Sequence, residues 1–319
     1  MIAFIILSLS MIKSNKRKKS GLIILILLVA NALFFAYTGD IPVERLKEKY
    51  ANNESRFIEI DGMQVHYRDE GEGIPIVLLH GTASSLHTWD AWTNTLKNNY
   101  RVIRLDIPAF GLTGPHPNQD YSIKAYADFL DSFLSKLGIE NTYLAGNSLG
   151  GNIAWYYTAE HPLKVKKLIL IDPSGFIKKG KLPWIFTLAR TPVLNAIIKY
   201  FTSKSIVENN LQQVYFDESK ITSELIDRYY ELTLREGNRT AFIDRAKTDM
   251  IDHTVKLKSI NAPTLIIWGR EDSWIPVSDG ERFLNDMPQA KLVILENTGH
   301  VPMEESPQQS LTPLLKFLD

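Results

Sequence analysis

Residues 142–151 read Thr-Tyr-Leu-Ala-Gly-Asn-Ser-Leu-Gly-Gly, and Ile153, Ala154, Trp155 and Tyr156 follow at helical spacing. An apolar strand, a tight turn and a helix are written in succession, with Ser148 at the turn. Gly146, Gly150 and Gly151 let the backbones approach closely around a strained serine. The helix that starts after Ser148 directs backbone N–H groups and a partial positive charge toward the serine oxygen. A serine so placed is the expected nucleophile of acyl-transfer chemistry. An ordinary serine in a glycine-rich turn is the bland alternative, and the strand before it and helix after it argue against that.

Working outward, short apolar β-rich runs alternate with longer amphipathic segments from residue 55 onward. The pattern predicts strands over Arg56–Ile60, Gln64–Asp69, Ile74–Leu79, Arg101–Asp106, Thr142–Ala145, Lys167–Ile171, Thr264–Trp268 and Lys291–Leu295. Helices are expected over Thr88–Leu96, Ile123–Leu137, Leu149–Glu160, Val277–Asn285 and Glu304–Leu318. Asp61-Gly62 predicts a hairpin between the first two strands. The later strand–helix alternation predicts a mostly parallel sheet, and continuous runs such as Ile76-Val77-Leu78-Leu79 suit strands covered on both faces. Between about Pro173 and Thr254 no strand pattern stands out, so an α/β core with a helical insertion is expected. The expected division is an N-terminal segment 1–39, a linker 40–54, a core 55–173 plus 255–319, and a helical cap 174–254.

A serine hydroxyl needs a base, and the base an orienting acid. Of the seven histidines, His300 lies in the polar turn Asn297-Thr298-Gly299-His300 after a late strand, at the carboxyl end of the sheet, where open α/β folds bind ligands. His66, His87, His116, His161 and His253 are expected to be structural or solvated. Asp272, past the strand Thr264–Trp268, and Asp172, ending Leu168–Ile171, both lie between serine and histidine in the chain. Chain order does not choose between them, and Glu271 is a third candidate. The developing oxyanion calls for two amide donors, each worth ~3 kcal/mol. Leu149, after the nucleophile, and Thr82, in the turn His80-Gly81-Thr82-Ala83, are expected to supply them. His80 is expected to hold that turn by hydrogen bonds.

Charge is balanced, Lys+Arg 36 against Asp+Glu 36, which argues against a nucleic-acid partner. The absence of cysteine excludes disulfides, thiolate metal sites and a cysteine nucleophile. Gly21–Thr38 is an uncharged apolar run preceded by Lys13, Lys16, Arg17, Lys18 and Lys19. A bilayer span needs ~20 apolar residues, and the basic flank predicts an N-in signal-anchor. The expectation is a single-pass cell-membrane protein, held in the lipid bilayer by this helix, with an extracytoplasmic catalytic domain. Ala30-Asn31-Ala32 leaves a cleaved, secreted form as the rival, and Met11 is a candidate start.

Taken in order, His80-Gly81-Thr82, Trp89, Asp106-x-Pro108-x-Phe110-Gly111, Gly146-Asn147-Ser148-Leu149-Gly150-Gly151, Gly269-Arg270-Glu271-Asp272-x-x-Ile275-Pro276 and Gly299-His300 resemble the α/β-hydrolase family across residues 55–319. The resemblance implies an eight-stranded, mostly parallel sheet with a helical cap, Asp272 as the acid, and neither metal nor organic cofactor. Epoxide hydrolases and haloalkane dehalogenases look similar in the early motifs but carry Asp as nucleophile, against which Ser148 argues. Asn147 before the serine resembles lipases, esterases and the meta-cleavage-product carbon–carbon hydrolases. The expected function is therefore hydrolysis of a small-molecule carboxylic ester, with apolar acyl groups suggested by Phe176, Trp184, Phe186 and Leu188, although each of these singly also suits cap packing. The alternatives are a carbon–carbon hydrolase, with Arg190 on a substrate carboxylate, and a non-catalytic ligand-binding receptor on the same fold.

Overall fold

In the computed structural model, the described residues are 27–28, 31, 34–177, 180, 182–249 and 251–319. Eight strands form one sheet: β1 (Ser55–Ile60), β2 (Met63–Glu70), β3 (Ile74–Leu79), β4 (Tyr100–Leu105), β5 (Thr142–Asn147), β6 (Val165–Ile171), β7 (Thr264–Gly269) and β8 (Ala290–Leu295). Their spatial order is β1-β2-β4-β3-β5-β6-β7-β8. The first two pairings are antiparallel and all others parallel, which is the fold class expected from the sequence.

Local chemistry accounts for the elements. Asp61 and Gly62 both take positive φ, 50° and 82°, as a two-residue hairpin with the right twist requires. Successive residues of a strand face opposite sides, and in β3 Val77 and Leu79 pack into one core while Ile76 and Leu78 pack into another. This two-sided burial explains the uninterrupted apolar run.

The helices are α1 (Val43–Tyr50), α2 (Asp90–Leu96), α3 (Ile123–Lys136), α4 (Leu149–Glu160), α5 (Trp184–Arg190), α6 (Asn195–Phe201), α7 (Lys204–Val214), α8 (Ser223–Thr233), α9 (Asn238–Lys247), α10 (Val277–Asp286), α11 (Pro302–Glu305) and α12 (Pro307–Leu318). Helix α3 starts where the Ser122 side chain accepts from the Ala125 amide at 3.2 Å, satisfying one donor of its first turn. It covers the first core with Tyr126, Phe129, Leu130 and Phe133. Helices α2 and α12 cover the other with Trp92, Leu96, Leu311, Leu314 and Leu318. The continuous helix expected over Glu304–Leu318 is two helices that meet at Ser306. Pro307 begins the second, in the first turn, where a ring nitrogen without a hydrogen forfeits no helical bond.

Residues Asp40–Asp319 form one compact unit. Within it Asp40 pairs with Arg239 at 2.6 Å, and Leu46 of α1 is buried with Leu112 and Leu232. Of the stretch before Asp40, residues 27–28, 31 and 34–36 are helical, and the exposed rings of Phe34 and Phe35 meet edge to face at 5.7 Å. The expected membrane anchor needs correcting. Much of the Gly21–Thr38 run lies outside the described residues, as do the basic block and Met11. No helix among the described residues is long and apolar enough to cross a membrane. A bilayer partner and the extracytoplasmic placement that depended on such a span fall with it.

Candidate active site

The carboxyl ends of β3, β5, β6, β7 and β8 converge on one rim, and the chemistry-bearing residues leave the sheet there. Ser148 follows β5 directly and begins α4. Its backbone sits at φ 51°, ψ −114°, a region that costs a non-glycine residue of order 1–3 kcal/mol. The surroundings hold the strain in place. The Ser148 amide donates to Ile171 O at 3.1 Å, and its carbonyl accepts from the amides of Asn152 and Ser174, each at 3.0 Å. A Cβ on Gly146 would stand 2.2 Å from Gly150 O, and one on Gly150 would stand 2.2 Å from Leu79 O. The strand–turn–helix crossing therefore admits only glycine at these two positions.

His300 is nearly fully buried. Its Nδ1 lies 2.6 Å from Asp272 Oδ2. The other oxygen of Asp272 accepts from the amides of Trp274 at 2.7 Å and Ile275 at 2.9 Å, which fixes the carboxylate. With Nδ1–H given to Asp272, Nε2 is left as the acceptor, and this nitrogen has no hydrogen-bond partner. Ser148 and His300 line one cavity together. The His300 amide donates to Val214 O at 2.7 Å, and Glu305 accepts from the Gly299 amide at 2.7 Å and the Phe216 amide at 2.9 Å. The histidine loop is thereby tied to the end of α7. Asn147 adds a cross-brace, donating to Ile171 O at 3.1 Å and His300 O at 2.9 Å.

Asp172 is also here. Its Oδ1 accepts from the Gly269 amide at 2.9 Å, while Oδ2 has no donor. Burial, and next the charge of Asp272, push its carboxyl well above the usual range, which favours its neutral form. Asp172, Asp272 and His300 offer atoms within 4.8 Å of one another. That grouping resembles a metal-ligand set, but Asp272 is engaged with His300 at 2.6 Å and Asp172 Oδ1 with the Gly269 amide. Glu271 turns away from the histidine and accepts from the Thr298 amide at 2.9 Å.

Thr82 and Leu149 flank the serine: Thr82 lines two cavities that meet at Ser148, and Leu149 lines one of them. As the first residue of α4, Leu149 has an amide with no partner within its own helix. His80 braces the Thr82 turn. Its Nδ1 donates to Gly81 O at 2.7 Å and its Nε2 accepts from the Ile107 amide at 3.1 Å. Burial lowers its pKa, and with both ring nitrogens engaged it has no capacity left to act as a base.

The first cavity, about 1010 Å³ counting the space open to solvent, is walled by Ile185, Ile198, Ile206, Val207, Leu211, Val214, Phe242 and Trp274, with no lysine or arginine among its lining residues. The second, about 830 Å³ on the same footing, includes Phe176, Phe186, Arg190, Arg245 and Trp274. Phe176 and Phe186 thus face the site, whereas Trp184 lines neither cavity and is partly exposed. Sequence reasoning missed the wall supplied by α6 and α7. Their apolar stripes read as ordinary helix packing, and nothing in the sequence distinguishes a stripe that meets a cavity from one that meets a core. Trp274, whose ring lies 5.6 Å from His300, was missed as well, though its place two residues after Asp272 was a usable signal.

A mostly parallel sheet with a strained serine at a strand–helix turn, and a buried histidine–aspartate pair on the same rim, defines a hydrolase of α/β architecture. A sequence profile for the alpha/beta hydrolase fold matches residues 74–307; the chain belongs to that family and is a hydrolase. It is 32% identical to the uncharacterized hydrolase YugF of Bacillus subtilis, over 79% of this chain and 93% of that one. It is 27% identical to a 2-hydroxy-6-oxononadienedioate/2-hydroxy-6-oxononatrienedioate hydrolase of Comamonas testosteroni, over 80% of this chain and 93% of that one. Among solved structures it is similar to a membrane phospholipase A described as a bacterial virulence factor, with 26% identity, a TM-score of 0.74, and coverage of 95% of this chain and 98% of that one.

Proposed function

We propose that the protein hydrolyses carboxylic esters with apolar acyl chains through Ser148, His300 and Asp272. The observation that carries this reading is the first cavity. It brings Ser148 and His300 together in a largely apolar cleft without a cationic side chain in its lining. Such a lining favours a hydrocarbon chain and offers nothing to an anion. Residues 174–254 then serve as a cap over a core of 55–173 and 255–319.

His300 Nε2 takes the Ser148 proton as Oγ bonds to the ester carbonyl carbon. The amides of Leu149 and Thr82 hold the resulting oxyanion. As the tetrahedral adduct collapses, the C–O bond to the alcohol breaks and His300 returns the proton to the leaving oxygen. Water, deprotonated by His300, then releases the acid and restores Ser148. Asp272 holds the imidazole in the tautomer that leaves Nε2 free to accept.

The test is a series of p-nitrophenyl esters of increasing acyl length. The reading expects kcat/KM to rise from acetate into medium chains and to vanish in Ser148→Ala. Ester hydrolysis that survives this substitution in purified protein refutes it. A second reading, carbon–carbon bond hydrolysis, draws on the arginines of the second cavity and on the activity in the name of the Comamonas relative. It expects turnover of a ring-cleavage dienoate to exceed that of an aryl ester.

A further inference from the structure

Glu304, four residues after His300 on α11, joins three segments of the chain. Its Oε1 accepts from Arg228 Nη2 of α8 at 2.5 Å. Its Oε2 accepts from the Tyr229 hydroxyl of α8 at 2.6 Å and from Thr88 Oγ1, just past the turn Gly81–Ser84, at 3.0 Å. The Tyr229 oxygen also lies 3.2 Å from Ser84 Oγ, within that turn. A phenol has one proton to give. Burial, and then the charge of Glu304, raise the Tyr229 pKa, so the proton is retained and goes to the carboxylate. Ser84 is therefore the donor to Tyr229. Both residues line the first cavity with Ser148 and His300.

The turn that this network reaches needs holding. Ala83 takes φ 59°, a left-handed conformation that a side chain disfavours. The backbone bond that closes the turn, Ser84 N–H to Gly81 O, is 3.4 Å long, beyond the usual range for such a bond. His80 steadies the first residue of the turn through Gly81 O, and Tyr229 holds the side chain of the last. We infer that Tyr229 is a positioning residue for the reaction. Through Ser84 it sets the turn that presents the Thr82 amide, and through Glu304 it ties that turn to the helix that follows His300. Seating α8 on the core and assembling the oxyanion donors are then one event. The inference rests on the ester-hydrolase reading for the role of Thr82, while the network itself stands on the four side-chain hydrogen bonds.

The experiment compares the native full chain with Tyr229→Phe, Ser84→Ala and the double variant. Each is assayed on p-nitrophenyl octanoate and against two inhibitors, a trifluoromethyl ketone with an octyl chain and the methyl ketone of the same chain. The activated ketone takes Ser148 Oγ at its carbonyl carbon, with the serine proton passing to His300, and so places an oxyanion at the turn. The methyl ketone offers the chain without the activated carbonyl. Tyr229→Phe keeps the ring in the cavity wall and should lower kcat about tenfold with KM within about twofold, the mark of a misplaced donor that acts in the transition state. The trifluoromethyl ketone should weaken by a similar factor while the methyl ketone does not. Ser84→Ala should reproduce both effects, and the double variant should be no worse than either single one, because the two hydroxyls share one bond. Tyr230→Phe, the next residue of α8 and outside both cavities, should change neither reading. A merely structural tyrosine would lower stability in urea and leave the ratio of the two inhibition constants at its native value. That ratio unchanged in Tyr229→Phe and Ser84→Ala, or a rise in KM alone, overturns the inference. Native protein that neither cleaves the ester nor prefers the trifluoromethyl ketone overturns the ester reading and this inference with it, a result distinct from the first.

Discussion

The molecule contains two buried histidine–aspartate pairs of almost the same geometry. His300 Nδ1 meets Asp272 at 2.6 Å, and His66 Nδ1 meets Asp106 at 2.7 Å. Each has a serine nearby, Ser148 in one case and Ser55 in the other, and His66 Nε2 stands 2.9 Å from Ser55 Oγ. By side-chain distances alone the second set is a complete triad. What separates them is everything around the serine. Ser55 lies on a regular strand, and its Oγ also accepts from the Asn52 amide at 3.1 Å and Arg68 Nε at 3.2 Å. It lines neither of the two cavities described above, whereas Ser148 lines both. Asp106 spends its remaining capacity on the amides of Leu86 and Leu112, at 2.7 and 2.8 Å. The His66 set joins β1, β2 and the loops after β3 and β4. A charge relay becomes catalytic only with a strained, accessible nucleophile and amide donors; without them the same three residues are a structural clasp.

The comparison breaks most visibly at the nucleophile. Ser148→Ala is expected to reduce kcat by about 10⁶-fold, since the triad acts as a unit, with folding intact by circular dichroism. Asp272→Asn is next: the asparagine leaves the geometry but favours the wrong imidazole tautomer, and a loss of about 10⁴-fold in kcat is expected. Asp106→Asn probes the clasp. It should leave the catalytic rim in place yet cost about 3–5 kcal/mol in urea unfolding, the scale of removing one member of a buried pair.

The smallest effect distinguishes two buried carboxyls through pH. Burial opposes ionisation of Asp106, but the charge interaction and hydrogen bond with His66 outweigh it and hold its carboxyl below the usual range. Its folded pKa is thus lowered, so its contribution is present above the ordinary carboxylate pKa of about 4 and lost as pH falls through the depressed value. Asp172 is raised instead. Its contribution is full below about pH 4 and is lost as pH rises toward the raised value. Asp172→Asn should therefore gain stability relative to the native protein as pH climbs above 4, with kcat/KM little changed because asparagine resembles the protonated acid. A loss matching that of Asp272→Asn would make Asp172 the triad acid.

The fold was readable because each strand is a short apolar run and the elbow glycines mark a crossing that only glycine permits. The placement of His300 in one cavity with Ser148 was readable because a polar turn follows a late strand at the carboxyl end of the sheet. The choice between Asp172 and Asp272 was not, because both follow neighbouring parallel strands, and what separates them is a pair of bonds: Gly269 N–H to one, His300 to the other. The His66 clasp was invisible as well. It depends on the antiparallel pairing of β1 with β2, which sets Ser55 opposite Arg68 and Phe57 opposite His66. Arg190 was legible only through the resemblance to carbon–carbon hydrolases, and Arg245, which lines the same cavity, escaped notice because no local pattern encodes the placement of its helix beside α5.

The contrast between clasp and active site is tested most directly by treating the native protein with a fluorophosphonate and mapping the adduct by mass spectrometry. The account predicts a single modified serine, Ser148, with labelling lost in Ser148→Ala and retained in Ser55→Ala. An unlabelled Ser148, or an adduct on Ser55, would contradict it.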